Sequence, residues 1–253
     1  MQTAIGIIPA RMASTRFPGK PLKMLTGYPV IQHVYCAAEA CAALSDVWVA
    51  TDDNKIAETV KSFGGKVVMT KPDHTSGTDR IVEAVEKIAG DNKIIVNIQG
   101  DEPLVRPDDI DKCVAKITSE KNADWATLIY KLNANDDRND PNTVKVVCDS
   151  KGFALYFSRA QIPYDRDKKS SIKRFGHIGL YVYKINALKH FASLKSTPLE
   201  LIEKLEQLRA LESGMKIICV ETEKAFPGID TPEDLANVND IICKNPELIS
   251  IKL

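Results

Sequence analysis

The chain has 253 residues with 34 basic and 34 acidic side chains, so its formal net charge is zero. A balanced charge gives no overall pull toward nucleic acid or an anionic membrane surface, and a chain of this length can bury roughly 70–75% of its unfolded surface in one substantial core. The six cysteines, at 36, 41, 113, 148, 219 and 243, show no C-x-x-C spacing. They read as reduced thiols in a cytoplasmic protein without a structural zinc. No stretch has the length and apolarity of a signal peptide or a membrane span, so neither secretion nor membrane insertion is expected.

In chain order, 4–8 is an apolar run rich in β-branched residues, as in a strand buried on both faces, with Pro9 expected to end it. A loop follows in which small residues, Ala10, Ala13, Ser14 and Gly19, alternate with the cations Arg11, Arg16 and Lys20. Small residues let backbone N–H groups approach a polyanion, while guanidinium and ammonium groups supply the charge. It is not a P-loop, because Pro21 follows Gly19-Lys20 where Ser or Thr is required, and no G-x-G-x-x-G occurs there, which counts against a dehydrogenase.

Beyond the loop, helical spacing covers 30–43, a strand covers 47–50, and Thr51-Asp52-Asp53 turns the chain into a helix that ends near Phe63. Gly64-Gly65 marks a turn before a strand at 66–69. A helix over 79–89, a strand over 94–98 and a helix over 107–119 continue the alternation expected of a mostly parallel sheet covered on both faces. The segment from about 126 to 190 changes character, with β-rich runs at 143–148, 154–157 and 178–183, and the polar stretch 165–173 reads as a mobile loop and candidate lid. Farther on, Thr197-Pro198-Leu199-Glu200 opens a helix whose leucines, 201, 205, 208 and 211, recur until Gly214. A strand over 216–220 follows, and Thr231-Pro232-Glu233-Asp234 caps a last helix reaching about Cys243.

Two carboxylates stand out. Asp101 follows a buried strand in Gln99-Gly100-Asp101-Glu102-Pro103, at the sheet edge where open α/β sheets place ligands. Mg²⁺ accompanies nucleoside triphosphates and takes one or two carboxylates, so Asp101 is a candidate ligand, against the plainer role of capping the turn. Asp230, by pattern alone, belongs to the start of the final helix.

The stretches Pro9-Ala10-Arg11, Ser14-Thr15-Arg16 and Pro18-Gly19-Lys20-Pro21 resemble the signature of the sugar-nucleotide cytidylyltransferases, in particular those that act on 3-deoxy-manno-octulosonate. Ser76-Gly77-Thr78-Asp79-Arg80, Asn97 to Pro103, Ala154 to Arg159, Leu205 to Arg209 and Gly228 to Asp234 extend the resemblance over nearly the whole chain. It implies a three-layer α/β fold of the nucleotide-diphospho-sugar transferase type, one domain over 1–253, with 126–190 an inserted β-rich lobe that makes a homodimer. The implied activity joins CTP to an acidic eight-carbon sugar, giving CMP-3-deoxy-manno-octulosonate and pyrophosphate for lipopolysaccharide biosynthesis.

By the same resemblance Asp101 and Asp230 hold Mg²⁺, and Arg11 and Lys20 join them as the catalytic set. Ala10, Arg11, Arg16, Lys20, Ser76, Arg80 and Gln99 meet the nucleotide; Gln99, Arg159, His177, Glu206 and Gln207 meet the sugar. The alternatives are the same chemistry on the 8-amino derivative of the sugar, or a non-catalytic nucleotide-binding regulator. An outward helix face remains the plainer reading for Arg80, Glu206 and Gln207, and a structural role the plainer one for His177.

Overall fold

The computed structural model describes residues 4–13, 16–74, 76–88, 90, 93–133, 139–167, 172–223 and 225–251. Ser14, Thr15, the expected helix end at Ala89 and part of the expected lid, 168–171, lie outside them. The chain forms two compact units, Met1–Val114 with Phe226–Leu253, and Ala115–Ala225, which contains the expected lobe.

In the first unit the elements run β1 (Ala4–Ala10), β2 (Met24–Leu25), β3 (Tyr28–Pro29), α1 (Val30–Glu39), β4 (Leu44–Thr51), α2 (Asn54–Ser62), β5 (Lys66–Met69), α3 (Gly77–Ile88), β6 (Ile94–Asn97) and α4 (Pro107–Ser119), in which the boundary falls. Strands β6, β1, β4 and β5 lie side by side in that order, all parallel. Ile5, Ile7 and Ile8 are buried, as both-face coverage requires. Asp53 caps α2 by accepting from Lys55 N and Ile56 N.

Pro9 does not end β1. The β1–β6 ladder stops at Ile7 and Asn97, whereas the β1–β4 ladder continues through Pro9 and Ala10. Ile7 O accepts from Ile98 N on the β6 side, and alternation turns Pro9 to that same side, beyond the last ladder pair, where its missing N–H has nothing to donate to. The first helix also stops earlier than expected, at Glu39, and the second strand starts earlier, at Leu44.

The second unit holds β7 (Trp125–Lys131), β8 (Lys145–Cys148), β9 (Ala154–Ser158), β10 (Phe175–Lys184), α5 (Ile185–Ser193), α6 (Pro198–Glu203), α7 (Glu206–Glu212) and β11 (Ile217–Thr222). Strand β10 is antiparallel to β7 and β8, β8 is antiparallel to β9, and β11 is parallel to β7. β7 was not among the expected strands. Its Trp125 is fully buried and meets Tyr183 and Phe191 edge-on, with ring centroids 4.8 Å away in each case. The chain then returns to the first unit with α8 (Pro232–Lys244).

The single helix expected from the 201–211 leucines is two. Lys204 adopts the left-handed region at φ 55° and separates α6 from α7. Arg159 explains the break: its Nε donates to Glu203 O at 2.8 Å, and its backbone N–H to the Glu203 carboxylate at 2.9 Å. The turn leaves Leu201 53% exposed and Ile202 79% exposed, while Leu205 and Leu208 are buried.

Trp125→Ala should cost about 3–5 kcal/mol of stability, the range for truncating a buried aromatic side chain. Chemical denaturation followed by far-UV circular dichroism measures it.

Candidate active site

The loop after β1 is built to present Lys20. Phe17 is buried in a cluster with Leu25, Val30, Leu104, Ile229, Val238 and Ile242, which pins the middle of the loop. Gly19 stands at φ 71°, a region only glycine enters without strain, and its N–H donates to Met12 O at 3.0 Å. The chain then enters a short 3-10 turn, and Lys20 extends from its first residue, 9% exposed.

The Lys20 ammonium lies 2.6 Å from Asp101 Oδ2 and 3.1 Å from Asp230 Oδ1, and Arg16 Nη2 reaches Asp230 Oδ2 at 2.9 Å. Asp101 is delivered by the turn after β6, where a Cβ on Gly100 would come within 2.9 Å of Pro9 O. Glycine is needed there so that the two backbones can close. Asp230 does not serve as the start of α8: Thr231 and Asp234 form that capping box, and the Asp234 carboxylate accepts from both Asp230 N and Thr231 N. The Asp230 carboxylate is thereby left to face the cations.

These residues line a cleft of about 590 Å³ together with Pro9, Ala10, Arg11, His74, Ser76, Arg80, Gln99 and Gly100. Arg11 presents an exposed side chain to it. Arg80 is not a surface cation; it is 3% exposed, and its guanidinium meets Asp52 Oδ1 at 3.0 Å. Ser76 accepts from Asp79 N at the start of α3, and Gln99 donates to Asn97 Oδ1. The cleft therefore sets several cations around one carboxylate pair. The carboxyl of Glu102, next in the chain after Asp101, has its pKa pushed up to about 8, by burial first and then by the charges of Asp101 and Asp230.

Oxygen ligands that converge on one ammonium are also what a hard divalent cation takes. The Asp101 and Asp230 carboxylates are the donor pair that such a cation would take, with phosphate oxygens and water in its other positions. The residues present fit Mg²⁺ in that form.

Arg159, His177, Glu206 and Gln207 all belong to the second unit. The Arg159 guanidinium donates to Glu203 O and, through Nη1, to Pro141 O, and Lys145 Nζ holds the Arg159 carbonyl from within the core. His177 Nε2 is 2.9 Å from Thr127 Oγ1. That hydroxyl gives its single proton to a carbonyl, with Leu180 O nearest at 2.8 Å, so His177 is the donor. Burial pushes the His177 pKa down to about 3, which leaves the ring neutral. Gln207, at 3% exposure, is no outward residue, and its Nε2 is buried without a hydrogen-bond partner among the described residues. Glu206 occupies the first position of α7.

His74 and Asp52 escaped the sequence reading. A histidine two residues ahead of Ser76-Gly77 was the available signal for the first; the Asp52–Arg80 pairing exists only in three dimensions.

A family model described as cytidylyltransferase matches residues 5–217. The chain belongs to that family. A 3-deoxy-manno-octulosonate cytidylyltransferase of Thermodesulfovibrio yellowstonii is 50% identical over 244 residues, covering 91% of this chain and 94% of the relative. One of the same name from Syntrophotalea carbinolica is 49% identical, covering 92% and 95%. Among cytidylyltransferases of known structure, a CMP:2-keto-3-deoxy-manno-octonic acid synthetase complexed with CTP superposes with a TM-score of 0.91 at 40% identity, over 96% of this chain and 99% of that one. The expected three-layer α/β class with a mostly parallel sheet is thus the cytidylyltransferase fold. No helix among the described residues is long and apolar enough to cross a membrane.

The neutral His177 has a consequence for acid stability. Its folded pKa is below the value of about 6.5 for a free imidazole, so the unfolded chain binds the extra proton and stability is lost as pH falls from about 6.5 toward 3. Relative to wild type, His177→Gln should therefore improve in thermal midpoint as pH is lowered from about 7 to 4, as read by paired thermal melts.

Proposed function

We propose that the protein transfers the cytidylyl group of CTP to 3-deoxy-manno-octulosonate, giving CMP-3-deoxy-manno-octulosonate and pyrophosphate for lipopolysaccharide biosynthesis. The observation that carries this reading is the convergence of Lys20 on Asp101 and Asp230 in a cleft lined by Arg11, Arg16 and Arg80. The names of the relatives supply the substrates.

The anomeric hydroxyl oxygen of the sugar attacks the α-phosphorus and releases its proton to solvent, the bond to the bridging oxygen of the β-phosphate breaks, and that oxygen leaves with the electron pair as pyrophosphate. Arg11, Arg16 and Lys20 bind the triphosphate, and Arg11 and Lys20 stabilise charge on the departing group. Ala10, Ser76, Arg80 and Gln99 frame the nucleotide. Asp101 and Asp230 would hold Mg²⁺, which when bound neutralises phosphate charge.

From the second unit, Arg159 supplies the cation for the sugar carboxylate. His177, being neutral, acts as a hydrogen-bonding partner and not as a counter-ion. Glu206 and Gln207 take sugar hydroxyls. The six cysteines suit a reducing cytoplasm.

A homodimer goes with this reading. By the resemblance its interface lies in the 126–190 lobe, and the exposed leucine and isoleucine side chains of α6 beyond that lobe, at 199, 201 and 202, are further apolar surface that a second copy would cover. Ile202→Glu should then shift sedimentation velocity from dimer toward monomer; an unchanged dimer would move the interface elsewhere.

The central test is pyrophosphate release with CTP and Mg²⁺, with 3-deoxy-manno-octulosonate, its 8-amino derivative and N-acetylneuraminate as acceptors and mass spectrometry of the products. Release should be fastest with the first. Asp101→Asn should lower turnover by about a hundred- to a thousandfold with an unchanged circular dichroism spectrum, and near-normal Mg²⁺-dependent turnover would refute the assigned metal role.

A further inference from the structure

His74 lies in the loop between β5 and α3 and lines the same cleft as Arg11, Arg16, Lys20 and Arg80. Its side chain is 16% exposed, and its Nε2 makes a very short contact with Glu83 Oε2 on α3. Glu83 is a firm anion: burial opposes ionisation, but hydrogen bonds from Lys87 Nζ, Lys71 N and His74 pull its pKa down to about 2. An ionised carboxylate only accepts, so Nε2 is the nitrogen that carries the proton. In the neutral ring Nδ1 is then an acceptor.

Nδ1 has no partner among the described residues, and it is not one of the polar atoms sealed in the core. The cations that share the cleft are donors only and suit phosphate oxygens. An ionised triphosphate has no donor to offer an imidazole lone pair. On a cytidine nucleotide the donors are the exocyclic amine of the base and the ribose hydroxyls.

We propose that His74 Nδ1 accepts a hydrogen bond from the nucleoside half of the bound nucleotide, which makes the Glu83-anchored histidine a specificity-determining residue of the cleft. The inference rests on the cytidylyltransferase reading above. It adds that the wall bearing His74 reads the nucleoside, while Lys20 and the arginines hold its phosphates.

Two substitutions separate this from a structural role. In His74→Gln the amide can still donate to Glu83 from near the Nε2 position but presents nothing at Nδ1. In His74→Asn the amide oxygen stands near Nδ1 and the contact with Glu83 is lost. Calorimetric titration of the protein with CTP, UTP, 2′-deoxy-CTP and 3′-deoxy-CTP, beside thermal melts, gives the readout.

His74→Gln should keep its melting temperature and bind CTP about three- to tenfold more weakly, the worth of one hydrogen bond. The preference for CTP should shrink by the same factor against UTP if the base amine is the donor, and against 2′-deoxy-CTP or 3′-deoxy-CTP if the corresponding ribose hydroxyl is. His74→Asn should melt lower yet keep most of the preference. Wild-type preferences in His74→Gln, or an equal loss for all four nucleotides in both variants, would overturn the inference. Failure of the wild type to bind CTP would instead overturn the reading beneath it.

Discussion

The ammonium of Lys20, held between Asp101 and Asp230, is the interaction on which the candidate site depends. Without a cation between them, two carboxylates drawn together in a partly covered cleft would repel, and neither could be held in place cheaply. With it, three segments far apart in sequence are tied to one point, since Lys20 is 81 residues from Asp101 and 210 from Asp230. The tie is economical because each partner is already fixed by its own backbone: Gly19 turns the lysine inward, Gly100 lets the turn after β6 approach β1, and Thr231 with Asp234 caps α8 so that Asp230 need not.

The same logic explains the sharing of labour among the remaining cations. Arg80 is committed to Asp52 from a buried position, so it is a fixed donor with little freedom to adapt. Arg11 is exposed and is free to adjust to the triphosphate proposed above. Preorganised charge of the first kind costs no rearrangement when a ligand arrives, whereas the second kind supplies reach. Lys20 has both characters, since a phosphate would compete with the two carboxylates for its ammonium and a metal ion would compete with that ammonium for the carboxylates.

In the second unit the organising contact is polar and equally local in its effect. Glu203 receives Ser158 Oγ and Arg159 N with its carboxylate and Arg159 Nε with its carbonyl. This ends α6, admits the left-handed Lys204 and starts α7 afresh, which brings Gln207 under cover and turns Leu201 and Ile202 outward. One arginine thus fixes its own orientation and also decides which face of a neighbouring helix is buried.

The sequence by itself determined the alternation of strands and helices in the first unit, because buried parallel strands need continuous apolar runs and their helices need periodic ones; 4–8, 66–69 and 94–98 could hardly be anything else. It also determined the glycine positions and the capping boxes, which are local chemistry. Family membership was legible in the same way, through contiguous motifs such as Ser76 to Arg80. Tertiary structure alone decided that Pro9 stays within β1, since that depends on which neighbouring strand has already ended. It alone decided that the 201–211 helix breaks, since the break is made by an arginine more than forty residues earlier in the chain. Asp230 is the clearest case: its sequence neighbours assign it to a helix start, and only the arrival of Lys20 and Arg16 from the other end of the chain gives its carboxylate a different partner. Ion pairs of that kind are set by distance in space, on which spacing along the chain carries no information.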